Sequence, residues 1–324
     1  MHRSESAAPR RGSRGHVHEV TFPESAEDLA AVAVPFLRAG LDAGDAALVA
    51  VTDETGALLH DALDADDDRV LVLPPRGVYR RRTPSALTEF RRLAEQRTAA
   101  GFGGLRVVAE TQFGDTARQW QEWQRYESVV NVSLAGLPVW GLCVYDPHRL
   151  PDQVLESGLS SHPWVRTSAG PTANPGFVPP ADYLRGLPVP AEPLEDTPPL
   201  LEVDGVRDYA ALRHAVAGTL ATLTGSRDLR EDFLLAIDEM ASNAVRHGGP
   251  PVSLRLWATA DRAVCRITDS GNGLDDPFAG YGPAHGADLS RGGMGLWLAR
   301  QLCDHVDVIP EHPGVTVRLT VTLR

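Results

Sequence analysis

FLLAIDEMASNAVRHGG, Phe233 to Gly249, is the stretch whose reading decides the fold of the C-terminal half. Phe233, Leu234, Ile237, Met240, Ala241, Ala244 and Val245 recur at helical spacing, and Asp228 stands where it can cap the helix carrying them. Glu239, Asn243 and His247 follow at intervals of four, so they share one helix face, read here as lying opposite the apolar stripe. A carboxylate and an amide oxygen on such a face suit Mg²⁺ binding or orientation of a nucleophile, and a solvated polar face has the same pattern.

Two further motifs lie downstream. DSGNG, Asp269 to Gly273, directly follows an apolar run. Its alternate glycines permit positive φ and close backbone approach to a ligand, and an Asp at a strand end can accept a hydrogen bond from an exocyclic amine. An ordinary glycine-rich turn reads the same way. RGGMGLWLA, Arg291 to Ala299, places glycines just before a helix whose free N–H groups make an anion site, or simply turn the chain into that helix. The surrounding pattern predicts strands at 200–203, 252–258, 263–269, 305–309 and 316–323, and helices at 206–223, from 228, and at 294–303. The expected architecture is an α+β two-layer sandwich with helices on one face of a mixed sheet.

The order of these motifs (ExxxN helix, strand, DxGxG, glycine-rich loop, GxGL opening a helix) resembles the GHKL ATPase superfamily of histidine kinases, gyrase subunits and anti-sigma-factor kinases. The resemblance covers about 200–324. It implies that Asn243 binds Mg²⁺, that Asp269 takes the adenine amino group, and that Gly271 and Gly273 pass beside the base. It further implies that Gly293 and Gly295 cradle phosphates, with His247, Arg291 and Leu296 in the same cofactor site, and that Glu239 is the general base. Arg291 stands where many relatives have a glycine, which implies either a phosphate contact or a weakened site.

A histidine kinase would carry its phosphoacceptor on a long helical hairpin before the first motif. Only one helix lies there, with His214 on it. The compact arrangement resembles the anti-sigma-factor serine/threonine kinases. That branch implies ATP and Mg²⁺ as cofactors, phosphorylation of an anti-sigma-factor antagonist of STAS type, sequestration of a sigma factor, and a possible homodimer. Two alternatives stay open: an ATP-gated binding module that transfers nothing, and a truncated histidine kinase.

The 324 residues suggest about two domains, and a formal net charge of −12 disfavours direct nucleic-acid binding. Arg3, Arg10, Arg11 and Arg14 sit in a short Ser/Gly-rich segment read as a disordered tail, 1–15. No run reaches the roughly 18 apolar residues of a membrane span, and no secretory h-region is present. Cys143, Cys265 and Cys303 are far apart, with no CxxC, which argues against a disulfide framework or a zinc site and suits a reducing cytoplasm. Every basic residue is Arg, read as a codon bias.

PTANPGFVPP and PVPAEPLEDTPP mark a proline-rich linker, 169–199, expected to be an extended, semi-rigid connector between 16–168 and 200–324. The first segment alternates apolar runs (18–22, 46–52, 70–73, 105–109, 139–145) with helical patterns, one of them capped by Ser25. This predicts a mainly parallel α/β sheet. GLDAGDAALVAVTD (Gly40 to Asp53) sits where a RecA-like ATPase begins its first core strand, but no GxxxxGK[ST] follows, so nucleotide hydrolysis is not expected here.

The succession GLDAGD, ETQFGD, WQEWQRYE, LCVYDPHRLP and SHPWV resembles the MEDS sensory domain. This implies a degenerate RecA-like fold that receives an unknown small-molecule or protein signal. Trp120, Trp123, Glu127, Cys143, Tyr145, Asp146 and His162 are the candidate ligand-facing residues, against a reading of the tryptophans as core and Asp-Pro as a turn. His16 and His18 form a two-histidine pair that lacks a third metal ligand in sequence.

Overall fold

The computed structural model describes residues 15–63, 69–75, 79, 82–282 and 294–323. The chain divides into two compact units, Met1–Leu187 and Pro188–Arg324. Among the described residues, no helix is long and apolar enough to cross a membrane.

The first unit carries seven strands among its described residues: β1 (Val17–Thr21), β2 (Ala46–Ala50), β3 (Val70–Val72), β4 (Leu105–Ala109), β5 (Val139–Val144), β6 (Trp164–Thr167) and β7 (Gly170–Ala173). They join in the order β3-β2-β4-β5-β1-β6-β7. Every pairing is parallel except β6 with β7. All residues of β1, β2 and β4 are buried, as expected of strands covered on both faces.

The covering helices are α1 (Ala26–Asp42), α2 (Asp53–Leu63), α3 (Thr83–Ala99), α4 (Ala117–Ser133), α5 (Asp152–Ser161) and α6 (Pro180–Gly186). Ser25 caps α1 by accepting from Asp28 N at 3.1 Å. Thr116 and Gln119 form a capping box on α4, satisfying backbone donors reciprocally.

The second unit carries five strands among its described residues: β8 (Leu201–Val203), β9 (Ser253–Ala258), β10 (Arg262–Asp269), β11 (His305–Pro310) and β12 (Val315–Thr322). Their order is β11-β12-β10-β9-β8. Every described pairing is antiparallel, which corrects the expected mixed sheet. Short connections join β9 to β10 and β11 to β12 as hairpins, the hairpins pair antiparallel through β10 and β12, and β8 adds antiparallel at the β9 edge.

Among its described residues this unit has the α-helices α7 (Tyr209–Leu223), α8 (Arg227–His247) and α9 (Gly295–Leu302). They share one apolar core with Leu254, Leu256, Ala263, Cys265, Ile267, Leu319 and Val321 of the sheet. The cap of α8 is Ser226, whose Oγ accepts from Leu229 N at 3.3 Å. Asp228 instead lies in the first turn, where its charge complements the helix dipole. Val245 is exposed and Ala236 takes its expected place in the core.

The proline-rich segment is not a free connector. Pro171 lies in β7 at the sheet edge, where a missing donor is tolerated, and Pro180 opens α6, where its N–H would be unpaired anyway. Residues 188–199 pack on the polar face of the second sheet and include a 3₁₀ turn, Pro193–Asp196. Glu192 pairs with Arg262 at 2.7 Å, and Trp257 Nε1 donates to Thr197 O at 2.8 Å. Arg318, 3% exposed, lies 3.0 Å from Asp307 and 3.5 Å from Glu195.

Candidate functional site

The three C-terminal motifs meet at the ends of α8, β10 and α9. Glu239 and Asn243 are half-buried on the flank of the α8 stripe, not opposite it. They abut the start of α9. A Cβ placed on Gly295 would lie 2.8 Å from Asn243 Nδ2 and 3.0 Å from Glu239 Oε2. Gly295 is therefore a close-approach position, where a side chain would displace both polar groups. The first backbone N–H groups of α9 lack helical acceptors, and the positive end of its dipole faces the same place. A carboxylate, an amide and a helix N-terminus thus stand together, suited to phosphates and a metal ion.

The last turn of α8 packs on the turn after β10. Asp269, 5% exposed, ends that strand, and its Oδ1 accepts from Gly271 N at 2.8 Å. Ser270 N donates to Gly249 O at 2.8 Å. A Cβ on Gly248 would sit 2.4 Å from both Asp269 Cγ and Ala244 O, and one on Gly271 would sit 2.7 Å from Gly248 Cα. Glycine is required here because two backbones touch. Of the two glycines of DSGNG, Gly273 has positive φ (80°), while Gly271 is needed for proximity. Gly248 and Gly249 belong to this site as well, and their signal in the sequence is the RHGG that closes the helix.

Leu296 packs against the core and under Gly280. His247 is exposed at the final position of α8. Arg291 and Gly293 lie outside the described residues. The loop 274–291 is described as far as 282; Leu274, Asp275 and Asp276 are exposed, and the chain packs again from 277 to 281. Tyr281 is buried, the Arg300 guanidinium lies 4.3 Å from its ring centroid, and Asp276 Oδ1 accepts from Phe278 N at 2.9 Å. His214 is exposed on α7, with its Nδ1 3.1 Å from Ala210 O.

In the first unit, Glu127 on α4, Cys143 on β5 and His162 after α5 come together, joined by His18 of β1. Tyr145 stacks edge-on against His162 at 5.7 Å. Burial holds His16, His18 and His162 down to about 3, and pushes the Glu127 carboxyl and Cys143 thiol up. Trp123 packs with Tyr79 and Tyr126, at 5.5 and 5.3 Å between rings. Trp120 donates to Gly114 O at 2.9 Å, and Asp146 accepts from His148 N at 2.8 Å in a turn. Of the seven candidates, the buried cluster thus draws in four.

These features define a histidine-kinase-like ATP-binding fold joined to a parallel α/β unit. Residues 205–321 match the family model of the histidine kinase-like ATPase domain. Residues 17–163 match that of the methanogen/methylotroph, DcmR sensory domain (MEDS). The serine-protein kinase RsbW of Bacillus subtilis (strain 168) is 32% identical over 151 residues, covering 43% of this chain and 85% of its own length. RsbW of Bacillus licheniformis is 35% identical over 120 residues, covering 34% of this chain and 74% of its own. Through its C-terminal unit, the chain belongs to the RsbW serine-protein kinase family. A crystal structure of the RsbU and RsbW domains of Rv1364c from Mycobacterium tuberculosis aligns with 20% identity and a TM-score of 0.29, over 39% of this chain and 33% of that one.

Proposed function

We propose that the second unit is an ATP-dependent protein serine/threonine kinase of the anti-sigma-factor type, with the first unit as its signal input. Its substrate is a serine or threonine on an anti-sigma-factor antagonist of STAS type, and a sigma factor is its second partner. The observation that carries this reading is the meeting of Glu239 and Asn243 with the start of α9, next to the Asp269 turn. Kinship with the serine-protein kinases supports it.

In this reading Asp269 accepts from the adenine amino group, and Gly271 and Gly273 let the backbone pass beside the base. Gly295, with Gly293 and Arg291, receives the phosphates at the N-terminus of α9. His247 and Leu296 complete the nucleotide-binding set. The half-buried amide of Asn243 beside the carboxylate of Glu239 fits Mg²⁺, which takes few side-chain oxygens and shares the rest with substrate phosphates. Mg²⁺ bound there neutralises charge on the phosphates. Glu239 accepts the proton of the attacking hydroxyl, a weak nucleophile at neutral pH. The remaining work of the site is positioning and charge stabilisation, as in other phosphoryl transfers.

The test is Glu239→Gln. It is expected to abolish phosphate transfer to the partner serine while ATP still binds. Transfer at the wild-type rate would remove Glu239 from the mechanism. Regulation of the partner that persists without any transfer, in wild type and variant alike, would make the unit a nucleotide-gated binding module.

A further inference from the structure

The cluster in the first unit has the dimensions and protonation pattern of a metal site. Four groups converge from four separate parts of the sequence. His18 Nε2 lies 3.3 Å from Cys143 Sγ and 3.4 Å from Glu127 Oε2. Glu127 Oε2 lies 3.7 Å from both Cys143 Sγ and His162 Nε2. All four ligand atoms fall within 4.8 Å of one another. A tetrahedral ion with bonds of about 2.0–2.3 Å has its ligands about 3.3–3.8 Å apart, so the observed spacings need little adjustment.

The hydrogen bonds around the cluster decide which nitrogens face inward. Asn131 Nδ2 donates to the carbonyls of Glu127, Ser128 and Ser161, at 3.1, 3.2 and 2.9 Å. Its Oδ1 is thereby turned to His18 Nδ1 at 3.2 Å, which must carry the proton. His162 Nδ1 faces Gly158 O at 2.8 Å, so it too is the protonated nitrogen. Both rings therefore present the bare lone pair of Nε2 to the same point. His162 Nε2 is fully buried and has no hydrogen-bond partner.

Histidine ligands of metals are held in this manner, with the distal N–H given to a carbonyl or amide oxygen. Glu127 Oε1 is in turn held by the Thr111 hydroxyl. A cavity of ≈ 30 Å³ opens beside His18, Glu127 and Cys143, with otherwise largely apolar walls that include Phe90, Val107 and Leu142. That is room for a water-sized molecule next to an ion.

We propose that His18, Glu127, Cys143 and His162 bind one divalent transition-metal ion of the zinc type in the first unit. The mixed imidazole, thiolate and carboxylate set suits Zn²⁺ and its tetrahedral substitute Co²⁺ better than Mg²⁺ or Ca²⁺. Binding releases the Cys143 thiol proton, and the Glu127 proton where present, to solvent. The two positive charges are then balanced by one thiolate and one carboxylate, leaving a buried centre with no net charge. An uncompensated carboxylate in this position would be costly. Of the pair His16-x-His18, only His18 joins the convergent group, whose other members come from α4, β5 and the end of α5. His16 is outside the group of atoms lying within 4.8 Å of one another, and its Nδ1 is 3.1 Å from Val139 O.

The experiment uses the full chain, purified without chelators, with metal content measured by mass spectrometry. The stripped protein is then titrated with CoCl₂ and ZnCl₂. One ion per chain is expected, with the visible band of tetrahedral cobalt and a near-ultraviolet thiolate-to-cobalt charge-transfer band. Cys143→Ser should remove the charge-transfer band, and Asn131→Ala should weaken zinc binding about 10–100-fold through the loss of its hold on His18. His148→Ala, at an exposed histidine, should change nothing. A folded wild-type chain that carries no metal and gives no cobalt spectrum would overturn the proposal. So would a cobalt spectrum indifferent to Cys143→Ser. Both of these outcomes can be read on chains whose folding is checked by circular dichroism.

Discussion

Gly295→Ala separates stability from function at the nucleotide site. Alanine is the better helix former by up to about 1 kcal/mol, so propensity alone favours the variant. Its Cβ, however, would meet Asn243 Nδ2 at 2.8 Å, Glu239 Oε2 at 3.0 Å and Met240 Cε at 3.3 Å. Ordinary contact begins near 3.4 Å, so the amide must retreat by roughly 0.6 Å and the carboxylate by roughly 0.4 Å. All three groups are ends of flexible side chains and can move at small cost, so the net change in stability should stay within about 1 kcal/mol. The consequence for chemistry is larger, because misplacing a reacting group by about 1 Å can cost about 10²-fold in rate.

The expected result is a fall of about 10- to 100-fold in single-turnover transfer from labelled ATP, with Tm nearly unchanged in the same buffer. Gly218→Ala is the control. That residue lies within α7, and its added Cβ meets nothing within 4 Å, so a small gain in stability and unchanged transfer are expected. A Gly295→Ala chain with wild-type transfer and wild-type ATP affinity would refute the claim that Glu239 and Asn243 act against the start of α9.

Gly248→Ala should behave differently, because its Cβ would lie 2.4 Å from the Ala244 carbonyl and the Asp269 carboxyl carbon. Backbone must shift, so a loss of about 1–3 kcal/mol is expected by thermal denaturation, and an unchanged Tm would contradict the packing of the α8 end on the Asp269 turn. Asp307→Ala removes the nearer of the two carboxylates beside the buried Arg318, at 3.0 Å, leaving Glu195 at 3.5 Å, and should cost up to about 3–5 kcal/mol in denaturant unfolding. The double replacement Asp307→Leu with Arg318→Met should recover much of that loss. Equal losses in the single and double variants would show that the ion pair is not the cause.

Much of the second unit was legible in the sequence because its site motifs are short and contiguous. Asp269 at a strand end, Gly271 two residues later and Gly295 at a helix start are all local facts. Glu239 and Asn243 lie on the flank of the stripe, where spacing by four suggests the opposite face, for a geometric reason. Asn243 is three residues from Met240, only about 60° around the helix, so it borders a wide stripe and cannot oppose it. Strand pairing was not legible, since apolar runs identify strands without their partners. Proline is excluded only from the interior of strands and helices, and Pro171 and Pro180 occupy an edge strand and a first helical turn, so the segment from 169 is not the extended connector its composition suggests. The buried cluster was invisible as a unit: His18 and Cys143 are 125 residues apart, and only the parallel pairing of β1 with β5 makes them neighbours.

The most direct test of the central claim is thermal stability of the full chain with and without ATP and Mg²⁺, for wild type and Asp269→Asn. A ligand that binds only the folded state at a hundred times its dissociation constant adds about 2.7 kcal/mol. Asparagine keeps an acceptor for Gly271 N–H but loses the carboxylate that would hold the adenine amine. A Mg²⁺-dependent rise in the unfolding temperature of wild type, lost in Asp269→Asn, is the predicted result. No shift of wild type at millimolar ATP, or an equal shift in both proteins, would contradict an adenine pocket built on Asp269.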